Sequence, residues 1–256
     1  MYTNIFDTHA HYDDEKFSED LNTVLAELPS AGICRIVNCA TEIASCKKCA
    51  HMADSYDYIY FSAGIHPHEA EEVSENYIEE LKSFCQHKKC VAIGEIGLDY
   101  HYDFSPRDKQ RDVFEKQLIL AKELDLPVIV HDREAHEDTW NLLKKYRPKG
   151  IVHCFSGSVE MARDIVSIGM LIGLGGAVTF KNAKKPVEVA KYVPFESLVL
   201  ETDCPYMSPV PFRGKRNDSS LISYTAEFIA ELKNVSTQEL IDITTKNAFN
   251  VFSINE

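Results

Sequence analysis

The chain of 256 residues lacks several things that would have settled its class at once. No stretch approaches the roughly 20 apolar residues that a membrane-spanning helix needs. Met1-Tyr2-Thr3-Asn4 runs straight into an apolar segment with no secretory leader, so a cytoplasmic protein that meets no membrane is expected. Basic residues are in deficit, 27 Lys and Arg against 40 Asp and Glu, for a formal net charge of −13. The deficit argues against a broad nucleic-acid-binding surface, but not against a nucleic-acid substrate held by a few local cations. No glycine-rich loop follows the first apolar run, which argues against a dinucleotide-binding open sheet. Low-complexity segments, long linkers and short repeats are also missing. One domain over 1–256 is the economical expectation.

Cysteine is not scarce. There are eight, and without a leader they are read as reduced thiols. Cys46-Lys47-Lys48-Cys49 is a lone CxxC on a helical stretch. A structural zinc would need two further ligands, so the pair reads as incidental.

Hydrophobic residues make up 45% of the chain, ample for a core, and they come in alternating kinds of run. Strand-like runs fall at 5–8, 35–40, 59–65, 91–96, 127–131, 150–155, 171–175 and 198–203. Helix-like stretches fall between them at 20–28, 44–54, 75–85, 106–124, 135–146, 159–168 and 184–192. Two more follow, at 221–233 and 237–252, the last expected on the exterior. Eight βα units in about 250 residues fit a (β/α)8 TIM-type barrel with an extra C-terminal helix. The near-continuous apolar runs suit a parallel sheet covered on both faces.

Five of these runs stop on residues that ligate metals. They deliver His9 and His11, Glu95, His131, His153, and Asp203. Active sites of such barrels lie at the C-terminal ends of the strands, so the six side chains are expected to converge. His9 and His11, two apart on extended chain, point the same way. Glu95 has two oxygens and can bridge two ions, one served by strands one and eight, the other by strands five and six. A two-metal centre of mixed His and carboxylate donors accepts Mg²⁺, Mn²⁺ or Zn²⁺ and suits displacement at phosphorus. His66 ends the third run beside Pro67 and is a candidate phosphate contact. Tyr100, Arg133 and the Arg213-Gly214-Lys215-Arg216 segment stand at the same rim as candidate substrate contacts. Asp203 is the expected general base, with Glu95 and His66 completing the catalytic group.

Taken together, Phe6-Asp7-Thr8-His9-Ala10-His11, Gly64-Ile65-His66-Pro67-His68, Gly94-Glu95-Ile96-Gly97-Leu98-Asp99-Tyr100, Val130-His131 with Arg133, His153-Cys154-Phe155-Ser156-Gly157, Glu201-Thr202-Asp203-Cys204-Pro205-Tyr206 and Arg213-Gly214-Lys215-Arg216-Asn217 resemble the TatD family of metal-dependent deoxyribonucleases in the amidohydrolase superfamily. The pieces run in family order over nearly the whole chain. The resemblance implies a TIM-type barrel, divalent-metal hydrolysis of DNA phosphodiesters from the 3′ end, the six ligands above, and His66 on the substrate phosphate. It implies a DNA substrate, single-stranded or at 3′ ends, and a monomer is expected. The chain departs from the family after Asn217, where Asp218-Ser219-Ser220 replaces the usual acidic residue, proline and aromatic. Glu95 in place of a carboxylated lysine sets it apart from the carbamate-bridged branches. Two rivals are weighed: an amide or ester hydrolase acting on a small molecule or aminoacyl-tRNA, and a scaffold that has lost catalysis.

Overall fold

In the computed structural model, which describes residues 2–255, eight parallel strands follow one another in chain order around a TIM-type barrel. They are β1 (Ile5–Ala10), β2 (Ile33–Cys39), β3 (Ile59–Ala63), β4 (Cys90–Asp99), β5 (Val128–Arg133), β6 (Gly150–Val152), β7 (Leu171–Leu174) and β8 (Leu198–Leu200). Helices alternate with them: α1 (Leu21–Glu27), α2 (Ile43–Ser55), α3 (Tyr77–Phe84), α4 (Arg107–Leu124), α5 (His136–Tyr146), α6 (Val159–Ser167) and α7 (Lys184–Tyr192). Then come α8 (Ile222–Lys233) and α9 (Thr237–Phe252). The ring closes just beyond β8, where Ala10 pairs with Cys204 and the Asp203 N–H donates to the His9 carbonyl at 2.9 Å.

The barrel interior and its outer face carry different side chains of the same strands. Ile129, Ile151 and Val199 pack together inside, while Val128, Val130, Val152, Leu198 and Leu200 pack outward against the helices. Strict alternation would have turned some ligands away from the centre, and irregular pairing prevents it. Between Asp7 and Ala10 β1 advances three residues while β2 advances two, Ile36 to Asn38. Between Ile93 and Ile96 β4 does the same against Val128 and Val130 of β5. One extra residue switches the face a strand presents. So Phe6 packs in the barrel floor and His9, three residues on, reaches the centre above.

Helix α9 does more than cover the exterior. Its Leu240 and Ile241 join the outer packing, but Ala248, Phe249 and Phe252 seal the lower end of the barrel. Phe249 and Phe252 meet Phe6 at ring-centroid distances of 5.3 and 5.9 Å. No described helix is long and apolar enough to cross a membrane.

Candidate metal centre

All six expected ligands meet at the C-terminal end of the barrel, though not all at strand ends. Glu95 sits in the middle of β4, which continues to Asp99. His153 lies one residue past β6, and Asp203 lies past β8 in a left-handed conformation, φ 57°. A left-handed aspartate is uncommon and is held here by its surroundings. Asp7 does much of the holding. Its carboxylate accepts from the Thr202 N–H at 3.0 Å, the Thr202 hydroxyl at 2.6 Å and the Ser219 hydroxyl at 2.7 Å. Gly97 permits the close pairing of β4 with β5, since a Cβ there would stand 1.9 Å from the His131 carbonyl oxygen.

The two oxygens of Glu95 face two groups of donors. Oε2 lies 3.3 Å from Nε2 of both His9 and His11. Asp203 Oδ1 completes that side, 3.8 and 3.5 Å from the same nitrogens. Glu95 Oε1 lies 2.7 Å from His153 Nε2 and 2.9 Å from His131 Nδ1. Donors bound to one ion at about 2.0–2.1 Å stand roughly 3 Å apart, which is the spacing seen. His9 Nε2 and His11 Nε2 are only 2.9 Å from each other. His11 Nδ1 is 2.8 Å from the Cys39 carbonyl, which can only accept, so in the neutral ring Nδ1 carries the proton and Nε2 presents a bare lone pair. Ring nitrogens and carboxylate oxygens crowded this closely need positive charge among them, supplied by protons or by a divalent metal, which this donor set fits.

The charges point the same way. Burial opposes charge on His11, but the Asp203 and Glu95 carboxylates outweigh it and hold the ring well above the usual histidine range. The same contest, with Asp99 and Glu95 as partners, lifts His131 to about 9. His153 is raised too, as Glu95 overcomes the burial penalty. Burial would push Glu95 up, yet His153, His9 and His66 around it hold it well below the carboxylate range. His9 goes down to about 4 because it is fully buried and faces His153. Positive charge is thus strongly favoured at this centre.

His66 comes to the same place but with the other face of its chemistry. Its Nδ1 accepts from the His68 N–H at 3.2 Å, so in the neutral ring Nε2 bears the proton. Burial keeps the ring neutral, well below the usual range. His66 Nε2, 3.6 Å from Glu95 Oε1, is therefore a hydrogen-bond donor aimed at the centre. The donor set of His66, Glu95 and His131 has ligand spacing, but this proton argues against His66 as a ligand.

The rim residues are dispersed. Arg133 lies over the Tyr102 ring at 4.7 Å, and Arg213 over Phe180 at 4.4 Å. Tyr100 turns its hydroxyl to Asp138 of α5 at 2.5 Å. Arg216 is committed to the Asp20 carboxylate at 2.6 and 2.7 Å. Residue reading assigned no role to Asp7, Asp99, Glu201 or His68. Asp99 Oδ2 lies 3.1 Å from His131 Nε2 and 3.1 Å from His68 Nε2, and so orients His131. Burial raises Glu201 to about 8; it accepts the Cys154 N–H and stands 3.7 Å behind His153 Nδ1. For the three acids the signal available was position, two to four residues along the chain from an expected ligand.

A profile of the TatD related DNase family matches residues 6–253. The uncharacterised metal-dependent hydrolase YabD of Bacillus subtilis is 45% identical over 254 residues, 98% of this chain and 100% of that protein. The crystal structure of YjjV, a TatD homologue of Escherichia coli K12, superposes with a TM-score of 0.93 at 33% identity, covering 100% of both chains. A TatD family hydrolase of Entamoeba histolytica has a TM-score of 0.88 at 26% identity, covering 98% of each. The chain belongs to the TatD family of metal-dependent hydrolases.

Proposed function

We propose that this chain is a deoxyribonuclease that removes nucleotides from the 3′ end of DNA, with two divalent ions held on either side of Glu95. The observation that carries this reading is the pairing of a bridged His and carboxylate donor set with a neutral His66 whose N–H faces the same centre. A phosphodiester needs that combination: cations for its charge and a donor for its free oxygen. The family profile's description as TatD related DNase agrees with it.

His9, His11 and Asp203 would hold one ion, His131 and His153 the other, with Glu95 shared. The ions would supply Lewis acidity, making a water easier to deprotonate and neutralising phosphoryl charge. Asp203 would accept the proton of the attacking water. Its side chain is 18% exposed against 3% for Glu95, so water reaches it. Burial works against its ionisation, but the His11 bond and His153 keep it ionised, below the usual carboxylate range. The water oxygen would then bond phosphorus as the bond to the deoxyribose O3′ breaks, and the leaving oxygen would take up a proton from solvent. His66 would donate to the phosphoryl oxygen as charge builds on it. Arg133 and Arg213 would contact phosphates of the strand.

The test is metal-dependent release of nucleotides from end-labelled single-stranded DNA with Mg²⁺ or Mn²⁺. Wild type is compared with Glu95→Ala, and EDTA serves as control. Release that needs metal and vanishes in Glu95→Ala supports the reading. A metal-loaded wild type that cleaves no DNA would transfer it to amide and ester substrates.

A further inference from the structure

The loop that follows β4 carries two aromatic rings that the hydrolytic chemistry leaves unexplained. Phe104 is 65% exposed and Tyr102 is 47% exposed. Their rings are stacked, with centroids 5.2 Å apart and planes within 23°. Scattered surface aromatics are ordinary, but a stacked pair at the mouth of a site is a different matter.

The pair is wired to the metal centre. The Asp99 carboxylate that orients His131 through Oδ2 also accepts the His101 and Tyr102 N–H groups through Oδ1, at 3.0 and 2.9 Å. His68, bound to the same Oδ2, has its ring 4.8 Å from Phe104 and 5.5 Å from Tyr102. One imidazole thus separates the aromatic pair from His66, whose ring lies 4.3 Å from that of His68. The loop is also fastened from behind. Ser105 Oγ donates to the His68 carbonyl at 2.8 Å, and Gln110 Nε2 to the Ser105 carbonyl at 2.8 Å. A platform already held in place loses little freedom when a ligand settles on it. Arg133, exposed and without an ion pair among the described residues, lies over the Tyr102 ring.

Flat apolar surface, a cation beside it and a phosphodiester centre one side chain away match a nucleotide unit, whose base is flat and whose phosphate is charged. Resting on the reading above, we propose that Tyr102 and Phe104 form a stacking ledge for a base of the strand being cut, with Arg133 on an adjoining phosphate. The ledge favours unpaired strands, because a base must be out of a duplex to lie on it. It reads no sequence, since every base has a flat face.

The test uses the metal-loaded full chain and two oligothymidylates, one intact and one with abasic residues at its 3′ end. Stacking on a single base is worth about 10- to 100-fold in binding or kcat/KM. Phe104→Ala is expected to lose about that factor on the intact strand, with Phe104→Trp restoring it. Wild type is expected to lose a similar factor on the abasic strand, and Phe104→Ala to stop distinguishing the two strands. A Phe104→Ala enzyme that keeps the wild-type preference for the intact strand overturns the ledge while leaving the nuclease reading in place. If wild type cleaves neither strand, anisotropy with a labelled phosphorothioate oligothymidylate decides. Binding that weakens in Phe104→Ala retains the ledge without the nuclease. Binding that is absent, or unchanged in the variant, overturns it.

Discussion

A histidine has two ring nitrogens, and at His11, His131 and His66 the partner of one assigns work to the other. The Cys39 carbonyl leaves His11 Nε2 free to ligate, and Asp99 leaves His131 Nδ1 free. At His66 the inner nitrogen keeps its proton, because the His68 N–H occupies the other. Removing such an outer partner weakens a metal ligand without touching it. Asp99→Asn is expected to lower metal affinity by about 10- to 100-fold, read by chelator competition. An affinity equal to wild type would show that Asp99 does not orient His131. At Asp203 the expectation differs, since a base affects rate more than binding. Asp203→Asn is expected to slow single-turnover cleavage by about 100- to 10,000-fold while DNA affinity changes little. A fully active Asp203→Asn enzyme would remove the assignment.

The strands matter through their irregularities as much as through their regular pairing. The extra residues in β1 and β4 bring His9 and Glu95 inward, and Gly97 lets β4 lie against His131. At Gly97 both space and conformation exclude a side chain, with φ at 146°. Gly97→Ala is therefore expected to cost more than about 2 kcal/mol in chemical denaturation and to lower bound metal together with it. Loss of stability with full metal occupancy would separate β4 packing from ligand placement. At the opposite end, Phe252 of α9 stacks under Phe6. Phe252→Ala is expected to destabilise by about 3–5 kcal/mol, with the activity of the folded fraction retained, since the barrel length separates it from the centre.

For the whole molecule the centre is a concentration of unlike charges inside an acidic protein. Without metal, protons on His11, His131 and His153 balance Glu95, Asp203 and the Asp99 carboxylate beside His131. Those protons must leave when metal enters, so apparent affinity is expected to rise with pH through neutrality toward the value of about 9 at His131. Calorimetry in buffers of different ionisation enthalpy would count the protons released, and no release would contradict the balance drawn here. Metal at 100 times its dissociation constant should add about 2.7 kcal/mol of stability, visible as a fall in Tm with EDTA.

The sequence by itself determined the alternation of strands and helices, the barrel and the six side chains that meet at the centre, because periodicity and residue type are local properties. All eight strands and nine helices expected from it are present, with boundaries shifted by a few residues. It did not contain the partners of those side chains. Asp99, Glu201 and Asp7 looked only like parts of motifs, and Arg216 like a phosphate contact before Asp20 took it. Tertiary structure alone decided which His66 nitrogen carries a proton, which face His9 and Glu95 present, and that α9 closes the barrel floor. Hydrogen-bond partners, strand register and helix docking join residues far apart in the chain, and no local pattern encodes such distances.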